Sequence, residues 1–415
     1  MLDEREGALT VIKDQIEKRG HKALLIDISI GTGAVVPSLK ADVSCEEIAI
    51  LAGRTIEEVK RMLASERDQA TSLMADGLMK KVIALHRTGE LEGIIAIAGM
   101  TGTLLSLPAM NALPFGVPKL LISSVVAMPA HAKQFSKYFG LRDITVMHPV
   151  VDTVGMNFLV KTIALNGANA IAGMVEVGEI LVRGKRPSIA ITEFGFIEKG
   201  AHYVRELLEK DYEIVSFHAT GLGDQAAADL VSQGFFKAFI DLVPASFLEY
   251  LLGGNRASGP NRLDASMNLP IPYIFAPGGF DMISCGPIER KDSGDPLWSS
   301  KKLAERKFLL QDPLRVQART TPEEMEQAAI AVAEKFRRYQ HKSKVKFLIP
   351  RKGFSSISVD NGALYDPASD EAFRLALKKN LDPEIKIFEV DSDINSREFA
   401  KVVVDALREA FNSET

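Results

Sequence analysis

Five residues, Gly99-Met100-Thr101-Gly102-Thr103, carry the sharpest chemical signal in the chain. They follow the apolar run Gly93–Ala98 and precede Leu104, Leu105 and Leu107, the setting of a turn from a buried strand into a helix. Such a turn aims backbone N–H groups and the positive end of a helix dipole at one point, and Thr101 and Thr103 add hydroxyl donors. That is the chemistry of phosphate binding. The same glycines also suit a plain tight turn with no ligand, and the residues alone leave both readings open. A Gly-x-x-x-x-Gly-Lys-Ser/Thr loop is absent, because Gly178 to Lys185 has the wrong spacing and no hydroxyl after the lysine.

A second glycine pattern, Gly221-Leu222-Gly223-Asp224-Gln225-Ala226, follows the strand-like run Glu213–Phe217, and Asp241 ends the next run. Its form is that of a dinucleotide fingerprint with a ribose-binding acid, so Gly221, Gly223, Ala226 and Asp241 support an alternative, an NAD-dependent oxidoreductase. Three further loops, Glu193-Phe194-Gly195, Pro277 to Asp281 and Arg351 to Ser355, fall at expected strand ends, where parallel sheets bind ligands. His218, Asp281 and Arg351 are the candidate catalytic groups of that crevice, and the cations suit an anionic substrate. The histidines show no metal-ligand spacing with one another or with a cysteine, so no structural zinc is expected. No serine has a Gly-x-Ser-x-Gly context, which disfavours a serine hydrolase.

Short β-branched runs alternate with amphipathic stretches throughout, the pattern of an α/β protein with mainly parallel sheets and flanking helices. Continuous apolar runs predict strands at Lys22–Ile28, Gly93–Ala98, Lys119–Ser123 and Asp143–Met147. Ser44 with Glu47 and Thr55 with Glu58 predict capping boxes at two successive short helices. A long helix is expected from Met156 to Val182, ending at Arg183-Gly184-Lys185-Arg186-Pro187, which reads as a helix stop and a linker. Two lobes follow, 1–185 and 186–415. The second has expected strands at Ser188–Thr192, Glu213–Phe217, Ala238–Leu242, Tyr273–Ala276, Lys344–Ile349 and Glu384–Val390, and a clear helix start at Thr321-Pro322-Glu323-Glu324. Leu9, Ile12 and Ile16 lie at helical spacing, so the chain opens with a helix where an α/β unit normally opens with a strand. One strand is missing from the pattern.

The 415 residues, 46% hydrophobic and 25% charged, describe an ordinary globular chain, and a net charge of -4 advertises neither nucleic acid nor an anionic membrane as partner. Met1 to Gly7 has no apolar core of a signal peptide, and the two cysteines, Cys45 and Cys285, suit a reducing cytoplasm as buried small hydrophobes. The uncharged stretch Gly93–Pro118 is long enough to cross a bilayer, but Pro108, Pro114, Pro118 and the glycine loop divide it.

The runs Ile97 to Thr103, Val151 to Asn157, Phe217 to Gly223, Phe280-Asp281-Met282 and Tyr365-Asp366-Pro367 resemble, in collinear order, the ATP-binding domain family of the tomato tobamovirus-resistance protein. The resemblance implies two Rossmann-like lobes, an ATP and magnesium site on the first, and a homodimer. In the plant protein the similar domain binds a viral replication protein and precedes a TIM-barrel domain resembling phosphoenolpyruvate-metabolising enzymes, so a separate TIM-barrel partner is expected here. Position by position, the phosphate loop of the family falls on Gly99, Thr101, Gly102 and Thr103, with Ser123 ending the next strand and Asp3 and Asp152 as nucleotide or magnesium contacts. Met100 and Thr101 replace small residues of the family, Val125 to Pro129 replaces a small polar stretch, and Asp393 stands where a histidine is common. The family opens with a short apolar strand ahead of the Leu-Asp pair that Leu2-Asp3 matches, so a strand ahead of Met1 is expected. The implied activity is a slow ATPase or an ATP-dependent ligase or kinase, or else a non-catalytic, ATP-gated interaction module.

Overall fold

The computed structural model describes residues 1–31, 33, 36–177 and 184–413. The chain divides into two compact units, Met1–Arg183 and Gly184–Thr415.

The first unit runs α1 (Leu2–Lys18), α2 (Cys45–Leu51), α3 (Ile56–Met62), α4 (Arg67–Arg87), β1 (Ile94–Ala98), α5 (Met100–Ala112), β2 (Lys119–Ser123), α6 (Ala132–Phe139), β3 (Ile144–Met147) and α7 (Phe158–Glu176). Its sheet is parallel, in the order β1-β2-β3. Strand side chains alternate between faces. Ile97, Leu120 and Ile122 pack on Ala8 and Ile12 of α1 and on Val160, Ala164 and Ala168 of α7. Ala98 and Leu121 face the other way, against Leu107 and Met110 of α5 and Phe135 of α6. At the start of β2 the buried Lys119 ammonium donates to the carbonyls of Pro114 and Val117 and to Asp143, which fixes the turn entering the strand. Helix α7 is long and apolar enough to cross a membrane, yet its Val160 and Ala164 row lies buried on the sheet.

Two expectations change here. Lys22–Ile28 is extended but forms no strand, since its one ladder contact is an isolated bridge from Ile26 to Val43. Apolarity had marked burial, whereas a strand also needs a neighbour along its length. The Ser44 hydroxyl accepts from the Glu47 N–H as predicted, but Glu47 reaches Lys81 rather than closing a box, whereas Thr55 and Glu58 cap reciprocally. The expected end of the Met156 helix, 178–183, lies outside the described residues.

The second unit runs β4 (Ser188–Glu193), α8 (Glu198–Leu208), β5 (Glu213–His218), α9 (Leu222–Ser232), β6 (Ala238–Asp241), α10 (Ala245–Leu252), β7 (Tyr273–Phe275), β8 (Met282–Ser284), α11 (Pro296–Ser300), β9 (Phe308–Asp312), β10 (Arg315–Arg319), α12 (Pro322–Arg337), β11 (Val345–Pro350), α13 (Pro367–Asn380), β12 (Lys386–Val390) and α14 (Arg397–Asn412). Six parallel strands lie in the order β12-β11-β7-β6-β4-β5, and an antiparallel β8-β10-β9 sheet stands beside them. Helices α8 and α14 cover the face carrying Ile189, Ile191, Ile240 and Leu348. On the other face, residues of α9, α12 and α13 pack around Phe239, Phe275 and Phe347. Because the first strand in sequence, β4, lies between β5 and β6, the chain reverses direction across the sheet there, the kind of position at whose C-terminal side parallel sheets bind ligands.

Candidate functional site

At the head of the first sheet, β1 ends at Ala98 and α5 begins at Met100, with Gly99 as N-cap and no side chain capping the helix. The N–H groups of its first turn have no intrahelical acceptor, so the helix start keeps its donors and its positive end. The start of α1 lies at the same place. Arg5 departs from helical geometry (φ -134°, ψ 24°), and its guanidinium reaches over Gly99, where a Cβ would meet Nη2 at 2.6 Å. Arg5 is only 4% exposed. Its Nε donates to Thr153 Oγ1 at 2.7 Å, Nη1 pairs with Glu4, and Nη2 stands 3.9 Å from Asp152 Oδ1.

Asp3 is buried beside this cation. Its Oδ2 accepts from the Gly33 N–H at 2.9 Å and its own N–H donates to Ser29 Oγ at 3.1 Å, while Oδ1 is buried with no hydrogen-bond partner among the described residues. Asp27 Oδ1 accepts from the N–H groups of Leu2 and Ser29 and from the Ser29 hydroxyl, which ties the two segments together. Burial pushes the Met1 amine below its ordinary pKa, against the pull of Asp27. A buried guanidinium, an uncapped helix start and an unpartnered carboxylate oxygen can together receive an anion that carries a cation or a donor.

The predicted site residues are thus partly assembled. Gly99, Gly102, Asp3 and Asp152 meet around Arg5 and Met1, and Met1 Cγ is 4.0 Å from where a Gly102 Cβ would stand. Thr101 is half-buried on the first turn of α5. Thr103 and Ser123, both fully buried, bond each other through their hydroxyls at 2.8 Å, so they lock the loop to β2 rather than face outward. Asp152 is largely exposed and caps its own turn through the Val154 N–H. Arg5, Thr153, Ser29 and Gly33 were not among the predicted residues. A charged run such as Asp3-Glu4-Arg5-Glu6 normally marks a solvated face.

The second unit does not gather His218, Asp281 and Arg351. His218 is exposed at the end of edge strand β5, and Arg351 follows β11, four strand positions away, which is about 19 Å at the usual strand spacing. Asp281 is fully buried, accepts from the Ser355 hydroxyl and leaves Oδ1 unpartnered, and burial raises its pKa. Nearby Asp370 is pushed up to about 7 by burial, against the Arg319 guanidinium it bonds. Asp241 is also no ribose ligand as it stands. It is fully buried, with both oxygens engaged by Arg262, Tyr273 and Thr192. Asp224 of the same glycine pattern holds Arg262 and Ser246 and caps the Gly221 N–H. Gly223 is required by packing, since a Cβ there would lie 2.1 Å from the His218 carbonyl oxygen. Both cysteine thiols are buried and pushed up to about 12, so neither is a thiolate near neutrality.

Two compact units, each a parallel sheet flanked by helices, define the class: a two-domain α/β protein. Its parts match the N-terminal domain (residues 1–179) and the C-terminal domain (186–411) of the uncharacterised protein family UPF0261, and the chain belongs to that family. It is 32% identical over 401 residues to a UPF0261 protein of Clostridium tetani, covering 96% of this chain and 94% of that one. It is 30% identical over 365 residues to the ToMV resistance protein Tm-1(GCR237) of Solanum lycopersicum, covering 85% of this chain and 46% of the tomato protein. A UPF0261 protein of Rhizobium meliloti is 26% identical over 416 residues, 99% of this chain and 97% of that one.

Proposed function

We propose that this chain is a cytoplasmic protein that binds ATP with magnesium at the head of its first, Rossmann-like unit. The observation that carries the reading is the buried Arg5 guanidinium lying over Gly99 at the uncapped start of α5. A phosphate seated there gains the first-turn N–H groups, the helix dipole and a charge-assisted bond from Arg5. Asp3 Oδ1, buried with no partner among the described residues, is the oxygen that suits magnesium, an ion held by one or two carboxylates plus phosphate oxygens. No group of three or more His, Cys, Asp or Glu that could hold a metal exists among the described residues. Magnesium, when bound, neutralises phosphate charge; Arg5 orients the phosphates and Asp152 sets how much of the Arg5 charge they see.

The enzymatic form of the reading is a slow ATPase, or an ATP-dependent ligase or kinase, working with a separate TIM-barrel partner of the phosphoenolpyruvate-hydrolase-like kind. The other form is a homodimeric, ATP-gated interaction module. Nothing favours the oxidoreductase alternative once Asp241 is bonded to Arg262. Calorimetry with ATP and magnesium tests the binding, and release of inorganic phosphate separates the two forms. No heat of binding for ATP plus magnesium refutes the proposal; binding without turnover, alone or with a barrel-type partner, selects the module.

A further inference from the structure

Three loops that leave the C-terminal ends of parallel strands meet in the second unit: 194–196 after β4, 277–281 after β7 and 351–358 after β11. The Gly279 N–H bonds the Phe354 carbonyl, and the Ser356 N–H bonds the Phe196 carbonyl. Gly279, at φ +77°, lies so close to the Phe194 ring that a Cβ there would stand 3.3 Å from it. The small antiparallel sheet turns one side to these loops. Val316 and Ala318 of β10 pack into the core with α12, so Gln317 and Arg319 point the other way, with Cα atoms about 7 Å apart. At one end of this side Arg319 donates through Nη2 to Asp370 and to the Asp366 carbonyl, yet its Nε is buried with no partner among the described residues. Asp281, close enough to feel the Arg319 charge, accepts from Ser355 at Oδ2 and leaves Oδ1 in the same condition. At the other end the Arg256 guanidinium lies 5.3 Å over the Phe194 ring, bonded through Nε and Nη2 to Glu249 and through Nη2 to Gln317. Its Nη1 makes no hydrogen bond among the described residues. Gln317 donates to Gln311, which is exposed on β9, so this side of the sheet opens to solvent there.

We propose that this side of the small sheet is a second binding site, for a small aliphatic hydroxy acid whose carboxylate sits on Arg256 and whose hydroxyl sits between Arg319 and Asp281. Buried polar atoms are normally paired, and here the unpaired ones are a donor, Arg319 Nε, and a carboxyl oxygen, Asp281 Oδ1. A hydroxyl answers both at once, because it accepts from one and donates to the other. It also serves Asp281 in the protonated form that burial favours, since its oxygen has two lone pairs to offer. A lone water would satisfy that inner pair but leave Arg256 unused. A carboxylate there gains a charge-assisted bond from a guanidinium that Glu249 and the Phe194 ring already hold in place. A chain of about four carbons suits the roughly 7 Å between the Gln317 and Arg319 positions. None of these groups belongs to the first unit, so the site is independent of the ATP reading.

The test is calorimetry on the full chain without nucleotide, with 4-hydroxybutyrate as the probe and butyrate as the control that lacks the hydroxyl. The probe should give saturable heat, and butyrate should bind about tenfold more weakly or worse, because Arg319 and Asp281 are then left unpaired. Arg256→Met should weaken the probe about tenfold or more, with the fluorescence of Trp298, buried in the same unit, certifying the fold. Should that variant not fold, Gln311→Glu at the exposed end provides the same reading, since its added charge should weaken the probe about threefold or more without touching the core. Absence of heat up to about 10 mM probe overturns the proposal. So does parental affinity in a folded Arg256→Met chain or in Gln311→Glu, and so does equal affinity for butyrate, which would leave a bridging water as the only occupant between Arg319 and Asp281.

Discussion

Replacing Arg5 by Gln is the most direct probe of the candidate site. Arg5 uses Nε on Thr153 and Nη1 on Glu4, which leaves Nη2 as the nitrogen facing the Gly99 turn. One charge-assisted bond to a phosphate is therefore at stake, and a hydrogen bond to a charged group contributes about 1.5–3 kcal/mol. That converts to a dissociation constant about 10- to 150-fold higher for ATP with magnesium. The Gln amide nitrogen stands where the Arg Nε stood and keeps a donor for Thr153, so the turn stays in place while the guanidinium and its charge go. Arg5→Lys should fall between the two, because it keeps charge but not the planar fork. Calorimetric titration gives the constants, and melting within a few degrees of the parent certifies the fold. A dissociation constant within twofold of the parent in a folded Arg5→Gln chain would refute the reasoning, since the Arg5 guanidinium is the group a Gly99 Cβ would meet.

Gly102→Asp places a carboxylate on the first turn of α5 with its Cβ 3.0 Å from the Ala98 Cβ, and should abolish ATP binding; retention of parental affinity counts against the loop. Asp152→Asn distinguishes two roles, because it should tighten binding a few-fold if Asp152 only draws on the Arg5 charge 3.9 Å away, and weaken it if Asp152 holds the magnesium. Arg262→Met leaves the fully buried Asp224 and Asp241 without their cation, a loss of about 3–5 kcal/mol, and should lower the melting of the second unit by roughly 10 °C; the single tryptophan, Trp298, lies buried in that unit and reports it by fluorescence, and a shift under 2 °C is roughly what less than 1 kcal/mol would give. Asp370 has a folded pKa raised to about 7, so between its ordinary value of 3.8 and about 7 the folded state holds the extra proton and stability falls as pH rises; Asp370→Asn should flatten that slope in denaturant titrations, and an unchanged slope would assign it to other groups.

The parallel strands were legible because burial on both faces writes an uninterrupted apolar run, as in Lys119–Ser123 and Ser188–Glu193. The hairpin of β9 and β10 escaped, since Phe308–Asp312 is half-exposed and Arg315–Arg319, though mostly buried, mixes polar and charged residues into the strand, with Pro313 between them. Lys22–Ile28 shows the opposite fault, an apolar, partly buried run whose pairing is a single isolated bridge. At the site, glycines at a strand end announced the turn, but no pattern could tell that Arg5, among three charged neighbours, turns inward. Asp241 misled for a related reason. An acid at the end of a strand looks alike whether it awaits a ribose or grips an arginine twenty-one residues further on, and only Arg262 decides which.

The outer edge of β1 has a bearing on how this protein ages in solution. A bare strand edge invites another chain to pair with it, yet here the edge faces inward, behind Leu9, Ile12 and Ile16 of α1. Contact between molecules must wait until that helix lifts away. Aggregation would then be paced by a local unfolding step within one molecule, and its onset would follow the stability of the α1 packing more closely than the protein concentration.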